Sequence, residues 1–394
     1  MRPIHAELAA GLSELRAARR HRSRQVVESR VQGTPRVRVD GRELVGFCSN
    51  DYLGLADHPR VVEAFVDAAR VWGVGSGASH LVSGHSCEHH ALEEELAEFV
   101  RRPRAVLFST GYMANLAVAA VLAGRGDHVL EDRLNHASLL DAGLACGARF
   151  GRYAHADSSA LRRRLERIDS GRVLVATDGV FSMDGDVAPL PELAAACREH
   201  GAWFIVDDAH GFGVLGDHGR GSTEAAALSP DDLPVLMCTL GKAVGTFGAF
   251  VAGCEELVET LIQRARTYVY TTALPPAVAA ATRAALQVMR EEPWRRRQVQ
   301  EHVARFRRGA TAIGLDLLPS QTPIQPVLLG SESAALAASA RLREAGFWVP
   351  AIRPPTVPAG GSRLRITLAA THTPAEVDNL IDALSRMTQT GRVE

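Results

Sequence analysis

From about residue 60 onward the chain alternates short apolar or β-branched runs with longer stretches whose apolar positions recur at helical spacing. Ala105–Phe108 leads through Ser109-Thr110-Gly111 into a predicted helix over 112–123, and His128–Leu130 leads into one over 136–146. Further strands are predicted at 172–177, 203–207, 234–239 and 249–252. Alternation of this kind builds a mainly parallel sheet with helices on both faces, an α/β fold.

The flanks read differently. Residues 4–30 place apolar and Arg/Glu positions at helical spacing, Gly33-Thr34-Pro35 breaks the pattern, and Arg36–Leu44 reads as a short hairpin. After Pro275-Pro276, residues 277–313 form one or two long Ala/Arg-rich helices. Residues 324–394 read as strand, helix, a loop rich in proline (Pro354, Pro355, Pro358), strand and helix, which suits a small α+β domain. The expected organisation is an N-terminal helical arm and hairpin over 1–58, a large α/β domain over 59–280 and a small α+β domain over 281–394.

Composition narrows the function classes. With 394 residues, 46% of them hydrophobic and 23% charged, the chain is an ordinary globular protein. A formal net charge of -1 gives no electrostatic case for nucleic acid or an anionic membrane as partner. The six cysteines contain no C-x-x-C pair, which reads as reduced and cytoplasmic. Arg2 and Glu7 stand where a signal peptide would need an apolar stretch, and no run approaches the ~18 apolar residues of a membrane span.

One compositional feature points to chemistry. Of 44 basic residues, 43 are arginine, and the single lysine is Lys242. Arginine replaces lysine as a cation but not as a nucleophilic amine, because a guanidinium stays protonated at any working pH. A lysine retained against this bias is either a leftover surface residue or one needed as an amine.

Three familiar patterns nearly fit. Gly73-Val-Gly75-Ser-Gly77 follows a helical segment (Val61–Trp72) where a dinucleotide loop would follow a strand. Gly241-Lys242 fails as a P-loop, since Leu236 stands where its first glycine belongs and Ala243 where its hydroxyl belongs. His85, Cys87, His89 and His90 precede a carboxylate-rich helix (Leu92–Phe99) and read as a solvated helix start, so no metal site is expected.

The stronger signals sit at the carboxyl ends of predicted strands, where open α/β sheets bind ligands. Phe204-Ile-Val-Asp207-Asp208-Ala-His210 runs an apolar strand into two aspartates and a histidine. An Asp at a buried strand tip needs a facing cation or donor, unless it merely caps a helix. Lys242 follows another apolar strand, Pro234–Cys238, with Thr239 three residues before it, a setting that desolvates the amine as a Schiff-base lysine requires. Amine and acid are the pair that pyridoxal phosphate uses, the lysine for covalent attachment and the Asp to keep the pyridine nitrogen protonated. Ser109-Thr-Gly111-Tyr112 supplies a glycine and a helix N-terminus for the phosphate. His136, at the next strand end, is either a helix-start residue or an imidazole that stacks on the ring.

Assembled, these residues resemble the α-oxoamine synthase family of fold type I pyridoxal-phosphate enzymes. The likeness runs over nearly the whole chain: Ser49-Asn50-Asp-Tyr-Leu-Gly-Leu55, Gly75-Ser-Gly77 with Ser83-Gly84, Leu92–Leu96, Asp132-Arg133 through His136-Ala-Ser-Leu139, Gly179–Gly185, Asp207-Asp-Ala-His210-Gly211, Thr239-Leu-Gly-Lys242, Tyr270-Thr271-Thr272 and Arg363-Leu-Arg365. The loop Ala351-Ile-Arg353-Pro-Pro-Thr-Val-Pro358 is similar to that of the branch that condenses L-alanine with a pimeloyl thioester, on CoA or a carrier protein, for biotin biosynthesis.

The resemblance implies that Lys242 holds the cofactor, Asp207 pairs with its ring nitrogen, His136 stacks on it, and His210 and Ser182 bond its phenolic oxygen. It implies a phosphate site made by the Gly111 and Tyr112 backbone and Thr239, joined by Thr271 or Thr272 of a second subunit, hence a homodimer. Arg365, with Arg353, would clamp the amino-acid carboxylate, and Asn50 would face the substrate. The run Ala243–Gly248 departs from the family's glycine-serine-glycine, and a substrate-facing arginine of the family falls near His21, beside Arg20 and Arg22. Other readings are a glycine- or serine-using condensation, an aminotransferase, and a silent binding protein.

Overall fold

The strands at the centre of the chain form because their side chains are apolar toward both faces. In the computed structural model, which describes residues 4–18 and 20–389, Val173–Asp178 and Ala249–Gly253 are buried at every position, the mark of a sheet covered on both sides. Arg2, in the expected arm, lies outside the described residues. The chain divides into two compact units, residues 50–300 and residues 1–49 with 301–394, the division falling within the helix Trp294–Ala312.

In the unit of residues 50–300, seven strands line up in the order Arg104–Phe108, Ala249–Gly253, Val235–Thr239, Trp203–Asp207, Val173–Asp178, His128–Asp132, Arg149–Tyr153. From Val235–Thr239 to Arg149–Tyr153 all neighbours pair in parallel. Ala249–Gly253 is antiparallel to both its neighbours. The segment 240–248 that precedes it is too short for the helical crossover a parallel return needs. The carboxyl ends of six strands therefore share one edge, and only Ala249–Gly253 points the other way. The Arg149–Tyr153 strand was not expected: it is an outer strand whose side chains, RFGRY, are mostly uncovered.

Helices follow the strands as the periodicity predicts. Gly111–Leu122 starts at Thr110, whose hydroxyl accepts from Met113 N at 3.2 Å. It buries Ala114, Ala117, Val118 and Val121 in a core shared with Val106, Val129, Ile205, Val235 and Val251. The two long helices expected after Pro275 are Pro276–Glu291 and Trp294–Ala312.

The other unit holds a three-stranded sheet, Ile324–Gly330, Ser362–Thr367 and Ala351–Ile352, with helices Glu332–Glu344 and Pro374–Gln389. Its second sheet corrects the reading of the N-terminus. The helix Ile4–Ala17 stops early, and Val27–Arg30 is a strand paired antiparallel with Arg36–Val39 across a turn at Gly33, φ 68°. The helical spacing of 4–30 breaks because Val27 and Ser29 satisfy a strand equally well and the hairpin supplies partners. Arg42–Gly46 then pairs in parallel with Phe347–Trp348, so the hairpin shares a sheet with the C-terminal segment. No helix among the described residues is long and apolar enough to cross a membrane.

Phe250, on the strand between two antiparallel partners, is fully buried and meets Phe212 edge-on at 5.3 Å. Phe250→Ala is expected to cost about 3–5 kcal/mol, read as a lower denaturation midpoint in urea.

Candidate active site

The shared strand edge opens on a cavity of about 200 Å³. Its walls include Gly111, Tyr112, His136, Ser182, Asp207, His210, Thr239 and Lys242, which brings eight of the expected site residues to one place.

Asp207 ends the strand Trp203–Asp207 and is buried. Its Oδ2 accepts from Asn115 Nδ2 at 2.8 Å and its Oδ1 from Ala209 N at 3.1 Å, which fixes the carboxylate plane. Asp178 ends the neighbouring strand directly opposite Asp207 in register. Burial, then the nearby negative charge of Asp207, raises the Asp178 carboxyl well above the usual range. Asp178 Oδ2 accepts from His136 N at 2.9 Å and so sets the loop that carries the imidazole.

His136 Nδ1 accepts from Ser138 N at 3.3 Å, which puts the ring proton on Nε2. Burial lowers the pKa of this histidine, opposed by Asp207 and assisted by Lys242, so the ring is neutral and suited to lie against an aromatic system. Behind His210, Tyr52 donates to Asn50 Oδ1 at 3.2 Å, and its oxygen lies 2.7 Å from His210 Nδ1.

Lys242 sits in the short link between antiparallel strands. Leu240 N bonds Gly248 O at 2.8 Å, Thr246 N bonds Leu240 O at 2.9 Å and Gly245 N bonds Lys242 O at 2.9 Å. Its Nζ donates to Thr239 Oγ1 at 3.3 Å. Gly111 is required on steric grounds: a Cβ there would stand 2.8 Å from Thr239 Cγ2. The first amides of the helix Gly111–Leu122 thus approach Thr239 closely enough to cradle one anion.

Four contributors escaped sequence reasoning. Tyr52 and Asn115 are fully buried and carry no role in the sequence reading, although an Asn on an otherwise apolar helix face is a usable signal. Asp178 and Ser138 gain meaning only from their partners in space. Of the remaining expected residues, Asn50 reaches the site through Tyr52. Thr271 and Thr272 do not line the cavity; Thr272 is exposed and bridges Ser79. Arg365 and Arg353 belong to the other unit, Arg365 buried on Ser362–Thr367 opposite Pro326 and Arg353 half-buried before the proline loop. In that unit Arg22 donates to Thr356 in the same loop at 3.1 Å, while Arg20 faces Glu332 at 3.6 Å.

The histidine group at the start of Cys87–Phe99 differs from expectation. Cys87 and His90 are exposed as predicted, but His89 is fully buried. Its Nδ1 accepts from Ser86 N at 3.0 Å and its Nε2 donates to Leu274 O at 2.7 Å, which makes it a helix cap anchored to a neighbouring segment. His80 joins it, 2.9 Å from His85 through the two Nδ1 atoms, and burial with the neighbouring imidazoles holds His80 down to about 3. His80 and His85 share one proton, and both His89 nitrogens are committed to Ser86 and Leu274, although one ring nitrogen of each of the three histidines lies within 4.8 Å of the others.

The sheet, the lysine in its antiparallel link and the facing aspartate are those of a fold type I pyridoxal-phosphate transferase. The chain belongs to the class I and II aminotransferase family, whose model matches residues 42–384. It is 62% identical over 379 residues to the 8-amino-7-oxononanoate synthase of Stutzerimonas stutzeri strain A1501, covering 96% of each chain. Among solved structures it matches a serine palmitoyltransferase from S. paucimobilis with PLP and myriocin bound, at 30% identity, TM-score 0.93 and 99% coverage of both chains. It also matches 8-amino-7-oxononanoate synthase from Francisella tularensis, at 31% identity, TM-score 0.77, and 88% coverage of this chain and 98% of that one.

The raised pKa of Asp178 has a measurable sign. Above the ordinary carboxyl pKa of about 3.9 the unfolded chain ionises this group while the folded, cofactor-free chain keeps it protonated, so the wild type loses stability as pH rises. Asp178→Asn removes that loss. Its melting temperature without cofactor is expected to equal the wild type near pH 4 and exceed it increasingly toward pH 7, as followed by calorimetry across that range.

Proposed function

We propose that this chain binds pyridoxal 5'-phosphate and condenses L-alanine with pimeloyl-CoA, or the pimeloyl carrier protein, giving 8-amino-7-oxononanoate, CO2 and the free thiol, a step of biotin biosynthesis. One observation carries the reading: the only lysine in the sequence meets a fixed aspartate and an anion cradle around one cavity. Relatives at 58–62% identity over nearly the full chain support the substrates. The same reading makes the protein a cytoplasmic homodimer, with Thr271 or Thr272 of the partner subunit joining the phosphate site.

The residues fit the cofactor. The Gly111 cradle accepts a phosphate but no Cβ, Asp207 offers a fixed anion to a pyridinium, and Lys242 offers a primary amine. Bound there, pyridoxal phosphate supplies an aldehyde that joins to amines and a ring that draws electrons from the bond next to the joined nitrogen. The chain does the rest. Asn115 fixes the Asp207 carboxylate, which would keep the bound ring nitrogen protonated. Neutral His136 would lie against the bound ring, and Ser182 and His210 would hydrogen-bond its phenolic oxygen, His210 steadied by Tyr52. Lys242, oriented by Thr239, removes the Cα proton of alanine and returns it after CO2 is lost.

A second reading is condensation of serine or glycine with an acyl thioester, favoured by the close structural match to serine palmitoyltransferase. Equimolar CoA and CO2 from alanine and pimeloyl-CoA are expected, and turnover faster with serine or glycine would overturn the assignment. Lys242→Arg is expected to abolish both the visible absorption of the bound cofactor and turnover, since a guanidinium cannot form the bond.

A Gly111→Ala side chain crowds the phosphate cradle. Cofactor affinity is expected to fall by about tenfold, or roughly 1.4 kcal/mol, in a fluorescence titration, and the melting temperature of the cofactor-free chain is expected to fall as well, since the added Cβ would stand 2.8 Å from Thr239 Cγ2.

A further inference from the structure

His155 does not line the cavity, yet it stands between two carboxylates from different strand-end loops. Its Nδ1 lies 2.9 Å from Asp132 Oδ1 and its Nε2 2.8 Å from Asp186 Oδ2. Asp132 closes the strand His128–Asp132, and its fully buried carboxylate also accepts from Leu134 N at 2.8 Å and Ala156 N at 2.7 Å. The chain runs on directly to Asn135, which bonds Ala176 O and Asp178 N, and then to His136.

Asp186 belongs to the loop 179–188. Phe181 N donates to Asp186 O at 3.0 Å, Ala188 N to Gly179 O at 3.0 Å, and Val180 bridges Val187, with Ser182 carried between. Asp186 Oδ1 is buried without a hydrogen-bond partner, so its charge is answered through Oδ2 by His155. The Phe181 ring meets the imidazole edge-on at 4.4 Å and 86°, closing the side that the carboxylates leave open. Burial works against the charged imidazole, but the two carboxylates outweigh it and raise its pKa to about 10. At neutral pH both ring nitrogens therefore carry protons and both donate.

We propose that His155 is a positioning residue: a two-ended cationic clamp that ties the loop bearing His136 to the loop bearing Ser182 and sets their spacing across the cofactor cavity. The task needs two opposed donors on one rigid ring and a charge matched to two carboxylates. Glutamine supplies a donor without the charge, and phenylalanine supplies neither. The inference rests on the reading that this cavity holds pyridoxal phosphate.

The test uses His155→Gln and Asp186→Asn in the full chain, the second an isosteric change that guards against misfolding of the first. Without cofactor or substrate, amide hydrogen exchange over 133–138 and 179–188 is expected to quicken by about tenfold or more in both variants, while strands Trp203–Asp207 and Val235–Thr239 keep wild-type protection. In the loaded enzyme kcat is expected to fall by about tenfold with KM for alanine changed less than about twofold, and the double variant should be no slower than the slower single one, since both cut one link. Unchanged exchange in the two loops, loss of protection across the whole sheet, or losses that multiply in the double variant would each overturn the clamp. The exchange arm involves no substrate, so a wrong assignment of alanine or pimeloyl-CoA leaves it standing.

Discussion

Parallel pairing sets Asp178 opposite Asp207 at the ends of adjacent buried strands, and the site is organised around answering that crowding of negative charge. Neighbouring strands run about 4.8 Å apart, so two ionised carboxylates there repel each other in a poorly solvated place. Asp208, one residue further, is also buried and is pushed up to about 7, by burial first. The answers come from every neighbouring segment: an amide from Asn115, the backbone N–H of His136 and the amine of Lys242. In the proposed function, a pyridinium facing Asp207 would complete the balance.

Much of this was legible because strand ends are where pattern and chemistry coincide. An apolar run that stops at Asp207 or at Thr239 announces both the strand and the group it presents, and the lysine stood out against 43 arginines before any fold was known. The failures share a cause. Arg149–Tyr153 and Val27–Arg30 are strands whose side chains are largely uncovered, so the apolar signal that marks a strand is absent and only hydrogen-bond partners define them. His89 misled in the opposite direction: its neighbours Cys87 and His90 are exposed, while its own two nitrogens are satisfied by Ser86 and by Leu274, a residue far away in sequence. Tyr52 and Asn115 were hidden because a buried polar side chain looks like core until its partner is known.

The comparisons separate fold from specificity. A serine palmitoyltransferase superposes on the chain at TM-score 0.93 with 30% identity, so the scaffold by itself does not fix the substrates. Choice of substrate must then reside in side chains outside the shared frame.

The link that carries Lys242 has a mechanical consequence. Because 240–248 is cross-bonded to itself at Leu240, Lys242 and Thr246 and stretched between two antiparallel strands, its backbone has no slack to move the amine toward or away from the cavity. In the proposed function, the travel of the Lys242 nitrogen would then be a matter of rotation about the bonds of one side chain. The amine therefore works as a short swinging arm on a fixed pivot, and a residue inserted into this link would move the pivot itself.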